Sequence, residues 1–498
     1  MSRLEAPERG RDAAVMLLGL GALALLGGIA LGPEAAVGGA AVLVGASVLA
    51  MRELATPTIT WPNAVAGFVL LMWLIPARGY RLPVTLPFNL ELYRLALVLL
   101  VLALVLALAN RTTTLDFGGR GAPIALMAVA GIAAAILNDG RVGVAGEAGP
   151  IKALTFFLGF YAVFVLVMST IRTREGVDTV LRAFVVGAAV VGLSAAYESR
   201  VGYNLFDHLH EYVPVLVREA RADFTGRGGL DRVYASSQHP IALACALVLA
   251  FPLSLYLSRR ARSLLRSRLW LAAGAACAIG AAATVSRTSV IMVLAMVLFA
   301  VFLRPREVIR YWPLLLVVPV VIKFAVPGAL GGIWKAFFPE QGLLASDLYS
   351  RQGEGGSGRF ADIGPGFTLW SQAPFLGHGL GFTPTTGTAQ AAQTAEGAEG
   401  AIIYFDNQLL STLVSVGLIG LLATLWFVWG SLVAVAGAAR RTAGELGDLL
   451  AMFAISIVGF AVGMVLFDSF AFVQVTIFYF VIVALALRAR TLAAPPDG

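Results

Sequence analysis

The stretch ELYRLALVLLVLALVLALA, residues 91–109, decides the fold, because it holds no polar side chain after Arg94 and its apolar positions do not alternate. At about 1.5 Å per residue such a run, wound as a helix, is about as long as the roughly 30 Å hydrocarbon layer of a bilayer is thick. A membrane β-strand instead alternates lipid-facing and lumen-facing residues over about ten positions. The run ALTFFLGFYAVFVLVMSTI, residues 153–171, has the same uninterrupted character. Both predict membrane-spanning helices, and the fold class is all-α.

The whole chain agrees with these two runs. Of its 498 residues 59% are hydrophobic and 13% charged, with a mean hydropathy of +0.84. A soluble globular chain is about 25% charged, so this one cannot cover a water-facing surface of its size and a soluble protein is excluded. Cys245 and Cys277 both fall within apolar runs and read as small packing residues, without a disulfide or thiol chemistry. The opening segment MSRLEAPERGRD is charged, and the apolar run after it lacks a small-residue cleavage site. That run is expected to be a retained first span.

A window of about twenty residues picks out fourteen spans near 13–31, 35–51, 64–77, 91–109, 122–138, 153–171, 183–198, 240–257, 269–285, 288–303, 312–326, 409–434, 448–466 and 470–487. With the N-terminus on the cytoplasmic side, 21 of the 36 Lys and Arg residues lie inside, and the C-terminus is also inside. Short inner loops carry Arg259, Arg260, Arg262, Arg266 and Arg268, then Arg304, Arg306 and Arg310, then Arg440 and Arg441. This is the positive-inside pattern. The chain divides into N-terminal helices over 1–198, an extracytoplasmic loop over 199–239, central helices over 240–326, a large extracytoplasmic loop over 327–408 and C-terminal helices over 409–498. Two long loops on one face are where function is expected.

The net charge of +7 reports this topology and does not indicate a nucleic-acid partner, since basic runs such as SRRARSLLRSR orient helices and meet anionic lipid. No internal repeat of the kind common in transporters is visible. The segment TPTTGTAQAAQTAEGAEG, 383–400, is low in complexity and reads as a loop tip.

Candidate site residues sit in the outer loops. In RADFTGRGGLDRVYASSQHPIALA, residues 221–244, Arg227 and Arg232 precede a span opened by Pro240. A guanidinium is a planar fork that binds phosphate bidentately and stays ionised beside lipid, which suits a lipid phosphate or pyrophosphate; snorkelling or loop packing is the plain alternative. In GSGRFADIGPGFTLWSQAPFLGHGLG, residues 356–381, Arg359 precedes a short helical stretch holding Trp370 and ending at Pro374. Gly377, Gly379 and Gly381 allow close backbone approach to a ligand or to another segment, and His378 among them is a structural or proton-carrying residue.

The run YFDNQLLSTLVSVGLIGLL, 404–422, places Asp406 and Asn407 where the outer loop enters the twelfth span. Read as one helix, it puts Asp406 and Gly417 on the same face, with Gly420 a turn further and able to seat a neighbouring helix. Asp406 is then a candidate base or the cap of its helix. Arg287, in TVSRTSV, lies at or just below the outer surface, where an unpaired charge is costly and a phosphate or a partner acid satisfies it. Lys323 lies near the outer end of its span and can snorkel. Asp207, His208, His210 and Glu211 have metal-ligand chemistry but no other ligand cluster nearby, and no metal site is expected from them.

These residues resemble the bacterial O-antigen ligase and O-antigen polymerase superfamily of polytopic glycosyltransferases. The likeness rests on Arg232 followed by His239 and Pro240, on Arg359 with Trp370, Pro374, Gly377, Gly379 and Gly381, and on Asp406 and Asn407 followed by Gly417 and Gly420. The SRTS segment 286–289 fits as well. It covers about 220 to 430. The resemblance implies an outward-facing inner-membrane enzyme that moves a glycan from an undecaprenyl-pyrophosphate carrier to an acceptor hydroxyl, with no metal or other cofactor. Arg232, Arg359, Arg227 and Arg287 then bind the donor pyrophosphate and Asp406 acts as base, supported by Asn407, His378, Trp370, Gly417 and Gly420. The ligases usually carry His where this chain has Asp406, so polymerase and ligase activity both stay open. Two readings compete: a transporter or flippase for lipid-linked sugars, which should show broken paired helices and buried ion-coupling acids at mid-membrane, and a peptidoglycan polymerase, whose motifs are not seen.

Overall fold

The computed structural model describes residues 60–83, 90–137, 149–213, 215–219, 232–309, 312–339, 342, 362–380, 382 and 405–493. Its main helices are α1 (Trp61–Leu74), α2 (Leu92–Ala109), α3 (Gly121–Leu137), α4 (Gly149–Thr170), α5 (Arg174–Val201), α6 (Pro240–Arg260), α7 (Leu264–Ala283), α8 (Arg287–Leu303), α9 (Trp312–Ala325), α10 (Ala329–Phe337), α11 (Ile363–Gln372), α12 (Gln408–Arg441), α13 (Gly444–Leu466) and α14 (Val473–Ala493). The chain is an all-α, multi-pass membrane protein.

Twelve of the fourteen expected spans coincide with one of these helices, and the other two, 13–31 and 35–51, lie outside the described residues. Length and apolar character suffice for crossing a membrane in seven helices, α2, α4, α5, α6, α12, α13 and α14, and in eight if α9 and α10 form one broken span bent by 110°. The difference has local causes. Helices α1, α3 and α8 are apolar but short, and α7 carries Arg266 and Arg268 in its first turns.

Helix boundaries follow chain chemistry. Thr173 accepts a hydrogen bond from the Gly176 N–H at the start of α5, and Ser263 does the same for Arg266 at the start of α7. At α6 the His239 imidazole caps the Ile241 N–H while Pro240 fills the first helical position, where its missing donor costs nothing. Helix α6 is the hub, with 89% of its apolar window buried against α5, α7 and α13. Helix α14 packs on α4 and α13, and α12 on α13 and α3. By contrast only 17% of the α2 window is buried, and Val98, Leu102, Val105 and Leu106 project outward.

The connections fall at two ends. The short-loop end gathers 110–120, 171–173, 261–263 and 442–443. The long-loop end gathers the 75–91 connection, the 202–239 connection, the 326–407 connection and 467–472. There a two-residue antiparallel pairing of Tyr80–Arg81 with Val217–Arg218 fastens the first of these to the second, and the Tyr80 hydroxyl donates to the Phe206 carbonyl at 2.7 Å. The large loop expected over 327–408 contains α10, and α11 stands at the short helical stretch expected before Pro374. The loop's junction with α9 is held by Arg200, whose Nε donates to the Ala325 carbonyl at 2.7 Å.

Candidate active site at the long-loop end

Helix α12 is not continuous. Gly417 has φ 70° and ψ −169°, a conformation open to glycine and costly for other residues, so the run splits into two helices. A break in a helix orphans backbone groups, and here the 374–379 segment satisfies them. His378 N–H donates to Val414 O at 2.8 Å and Gly379 N–H to Ser415 O at 2.9 Å. In return Leu418 N–H donates to Pro374 O at 2.9 Å and Ile419 N–H to Phe375 O at 3.2 Å. The two backbones lie so close that a Cβ on Gly417 would sit 2.2 Å from the Phe375 carbonyl, and one on Gly377 would sit 2.5 Å from Ser415. The glycine run therefore approaches another segment of the chain. Gly381 lies outside the described residues.

The break corrects the single-helix reading of 404–422. Asp406 precedes the helix, Gly417 is not helical, and the two do not share a helical face. Capping falls to Asn407, whose side-chain oxygen accepts from Leu409 N–H at 2.9 Å and Leu410 N–H at 3.2 Å. Asp406 is therefore not the cap. A Cβ added at Gly420 would meet the Val416 side chain of its own helix at 2.3 Å, with Ala130 of α3 at 3.9 Å.

His378 is 7% exposed and stacked on Phe382, with Nε2 2.8 Å from the Leu369 carbonyl. A carbonyl only accepts, so Nε2 carries the proton and the imidazole works as a clamp. Trp370 has a similar duty, its Nε1 donating to the Pro374 carbonyl at 2.9 Å. Both hold the segment that mates with the broken helix.

Around Asp406 the fold assembles other acids. The Asp406 N–H lies 3.5 Å from Oδ2 of Asp362, a fully buried carboxylate one residue before α11. Asp468, in the connection between α13 and α14, lies within electrostatic range of Asp406 and receives the Ser411 hydroxyl at 3.3 Å. Dehydration, reinforced by the negative Asp406, pushes the Asp468 carboxyl up to about 7, against the pull of Ser411 and Arg78. Sequence reasoning missed Asp468 because it lies beyond the motif region, in a short turn. The available signal was a lone acid in an outer connection only a few residues long.

Three segments converge here. Gln408 Oε1 accepts from Phe470 N–H at 2.5 Å, tying the start of α12 to 467–472. Gln238 Oε1 accepts from Val473 N–H at 2.8 Å, and His239 packs against Phe472, bringing in the segment that follows Arg232. That segment is anchored by Glu198, whose two oxygens accept from Tyr234 N–H at 3.3 Å and Ala235 N–H at 2.8 Å. Arg232 thus enters a braced turn that leads to the Asp468 connection.

Arg287 opens α8 and donates from Nη1 to the Ala336 carbonyl at the end of α10, 2.9 Å away. Arg227 and Arg359 lie outside the described residues. Asp207 accepts from the Tyr234 hydroxyl at 2.6 Å and pairs with Arg218 at 3.5 Å, while His208 pairs with Glu211 at 2.7 Å. Among the described residues no three His, Cys, Asp or Glu side chains gather in a metal-binding group. Cys245 and Cys277 are buried and free.

Fold and site together define a polytopic membrane protein with a cluster of carboxylates at one end of its helix bundle. Residues 272–425 match the O-antigen ligase family model, and this match supports membership of the chain in the O-antigen ligase and polymerase family. No curated protein matches the chain. The matched region contains the break at Gly417, its mating segment, Asp362 and Asp406, and it ends within α12, before Asp468. The match supports a role in assembly of O-antigen or a related surface polysaccharide.

Proposed function

We propose that this protein transfers a glycan from an undecaprenyl-pyrophosphate-linked donor to an acceptor hydroxyl at the outer face of a bacterial inner membrane, without a metal ion or other cofactor. The observation that carries the reading is the position of Asp406. It stands at the mouth of a broken helix whose cap is the neighbouring Asn407 and whose backbone is held by 374–379. An acid so placed has a fixed backbone and a side chain with no capping duty. It takes the acceptor proton as the hydroxyl oxygen attacks the anomeric carbon and the lipid pyrophosphate departs. The negative Asp406 raises the proton affinity of Asp468, so the two carboxyls titrate as a coupled pair in which Asp468 holds its proton longer. Arg232, with Arg227 and Arg359 in the same outer connections and Arg287 at the head of α8, offsets the charge that develops on the pyrophosphate.

Polymerase and ligase differ in the acceptor, another repeat unit in one case and a lipid or other acceptor in the other. Asp406 in place of the ligases' usual His favours polymerisation. Purified protein in liposomes, given a lipid-linked oligosaccharide with chelator and without nucleotide sugar, tests the reading. A ladder of repeats identifies a polymerase and a single addition a ligase. Full transfer by both Arg359→Ala and Asp406→Ala overturns the site. Movement of labelled lipid-linked sugar without a new glycosidic bond identifies a flippase instead; the broken α12 and the bent α9–α10 pair are the features that give that reading weight.

A further inference from the structure

The turn that joins α2 to α3 lies at the short-loop end, away from the carboxylates around Asp406. In it Gly118 and Gly119 hold left-handed φ values of 55° and 73°, and a Cβ on Gly118 would meet Met168 of α4 at 2.8 Å and Leu487 of α14 at 3.3 Å. The turn is pressed between the ends of those two helices, and it delivers Arg120 one residue before α3. From there the Arg120 side chain lies along α12. Its Nη1 is the group nearest to a Cβ built on Gly430, with Trp426 beside it. Helix α12 continues from Gly430 to Arg441, about 16 Å at 1.5 Å per residue, so the guanidinium is held on the flank of the bundle and short of the helix end. Trp426, Trp429 and Phe117 are exposed at this position.

These surroundings do not suit a lone cation. Arg120 Nε is shielded from solvent and has no acceptor among the described residues. Dehydration, and then the positive Arg490 in the last turn of α14, lower the proton affinity of Arg120 below its ordinary value. Asp116 is the described acid nearest to it in sequence, and it is committed elsewhere, Oδ2 accepting from Arg488 at 2.7 Å and Oδ1 from the Gly118 N–H at 2.8 Å. Two guanidinium groups from different segments thus repel one another beside an exposed apolar flank. An anion between them turns the repulsion into attraction, and a phosphate accepts from guanidinium groups bidentately. The first N–H groups of α3, on Gly121 and Ala122, have no carbonyl in their own helix to meet and add partial positive charge at the same place. Exposed tryptophans mark the boundary between headgroups and acyl chains, so the phosphate that reaches this position is carried by a lipid.

We propose that Arg120 and Arg490 bind the phosphodiester of an anionic phospholipid in the leaflet at the short-loop end, against the start of α3 and the Trp426 side of α12. The site stands at the opposite end of the bundle from Asp406 and holds whether or not Asp406 is the base. The test is native mass spectrometry of the purified full chain titrated with phosphatidylglycerol or phosphatidylcholine. Wild type should hold its tightest phosphatidylglycerol well above phosphatidylcholine, and Arg120→Gln/Arg490→Gln should weaken that binding about fivefold for each guanidinium removed, the contribution of one basic group near an anionic surface. Gly430→Ala keeps every charge but displaces the Arg120 head, and should weaken the same binding. Only the tip of a flexible side chain must move for it, and alanine favours a helix over glycine, so this variant folds and decides the matter if the arginine variant does not. Arg266→Gln/Arg268→Gln removes equal charge at the start of α7 and should leave the tightest phosphatidylglycerol in place. Equal retention of the two lipids by wild type overturns the proposal, as does undiminished phosphatidylglycerol in Gly430→Ala. An equal loss in Arg266→Gln/Arg268→Gln overturns it by making the effect one of net charge. Displacement of phosphatidylglycerol by inorganic phosphate also overturns it, by naming a free anion as the occupant.

Discussion

The short-loop end of the bundle and the turn around Asp406 treat charge in different ways. At the short-loop end every acid described below meets a base: Asp178, 3% exposed, sits between Arg174 and Arg260, Arg260 reaches Glu445 at 3.3 Å, and Asp116 pairs with Arg488 at 2.7 Å. Further arginines there close backbone ends, Arg304 donating to the Ala439 carbonyl at 2.7 Å and Arg172 to the Ser169 carbonyl at 3.0 Å. The long-loop end has such pairs too, Asp207 with Arg218 and Glu91 with Arg94, but around Asp406 acids are brought towards acids, Asp468 and Asp362, with a hydroxyl and glutamine contacts between the segments. Paired charges brace a fold. Like charges held together raise proton affinity and cost stability, which is the arrangement found at sites of proton transfer.

The largest expected effects separate the two ends by kind. Asp406→Asn should lower transfer about 10²- to 10⁴-fold, the usual worth of a general base, with little change in thermal stability. Asp178→Asn should do the reverse, because removing one partner of a buried ion pair costs about 3–5 kcal/mol while activity per folded molecule is kept. Liposome transfer and thermal melting of both variants check this. If Asp178→Asn loses transfer without losing stability, the division between bracing and reacting charge is broken.

Next in size is Gly417→Ala. Its Cβ would enter the Phe375 carbonyl and force an unsuited φ, with strain of order 1–3 kcal/mol before any clash is counted. The mating of 374–379 with α12 should open, and transfer should fall with it. Protection of the Leu418 and Ile419 amides from hydrogen exchange reads the opening directly.

Smaller, and carrying a sign that can fail, is Asp468→Asn. In the unfolded chain this carboxyl has its ordinary value of 3.8, and in the folded chain it is pushed up to about 7 by dehydration and by Asp406. Between those values the folded protein holds the extra proton, so stability falls as pH rises through the window and is level above it. Asp468→Asn should flatten that slope and melt higher than wild type at pH 8. It should also remove from the pH profile of kcat/KM the step near pH 7 that Asp468 contributes as it ionises beside Asp406. A step near pH 7 that persists in Asp468→Asn removes Asp468 from the site.

What the sequence made legible was whatever rests on one-dimensional runs. Hydrophobic length located twelve of the fourteen main helices, all but α10 and α11. Gly377 was read as a place of close approach, since a missing Cβ has few other uses. Hidden from it were features made by tertiary contact. A glycine in an apolar run is compatible with a helix, so the break at Gly417 could not be distinguished from close packing until Pro374 and Phe375 were seen to accept its orphaned N–H groups. Asn407 and Asp406 are both good caps, and only geometry chose between them. Asp468 acquires its character from groups 62 and 57 positions away in the chain, Asp406 and Ser411. No local pattern announces such a partner.

The smallest effect bears on His378, the residue for which bracing and reacting were hardest to tell apart. Its Nε2 proton goes to the Leu369 carbonyl and its backbone N–H to Val414, so both polar contacts face inward to the chain. His378→Gln keeps a side-chain donor of similar reach and should retain transfer within about tenfold of wild type, since general-base losses begin near 10². His378→Ala leaves the Leu369 carbonyl without this donor and should cost about 1–3 kcal/mol in stability. The acid limb of the pH profile should be unmoved in His378→Gln, because Asp406 keeps its neighbours. A loss in His378→Gln equal to that of Asp406→Asn would move the imidazole from the brace to the chemistry. It would also make the proton path a His and Asp pair, in which case the clamp on Leu369 must release during turnover, and hydrogen exchange at the α11–α12 contact should then depend on bound donor.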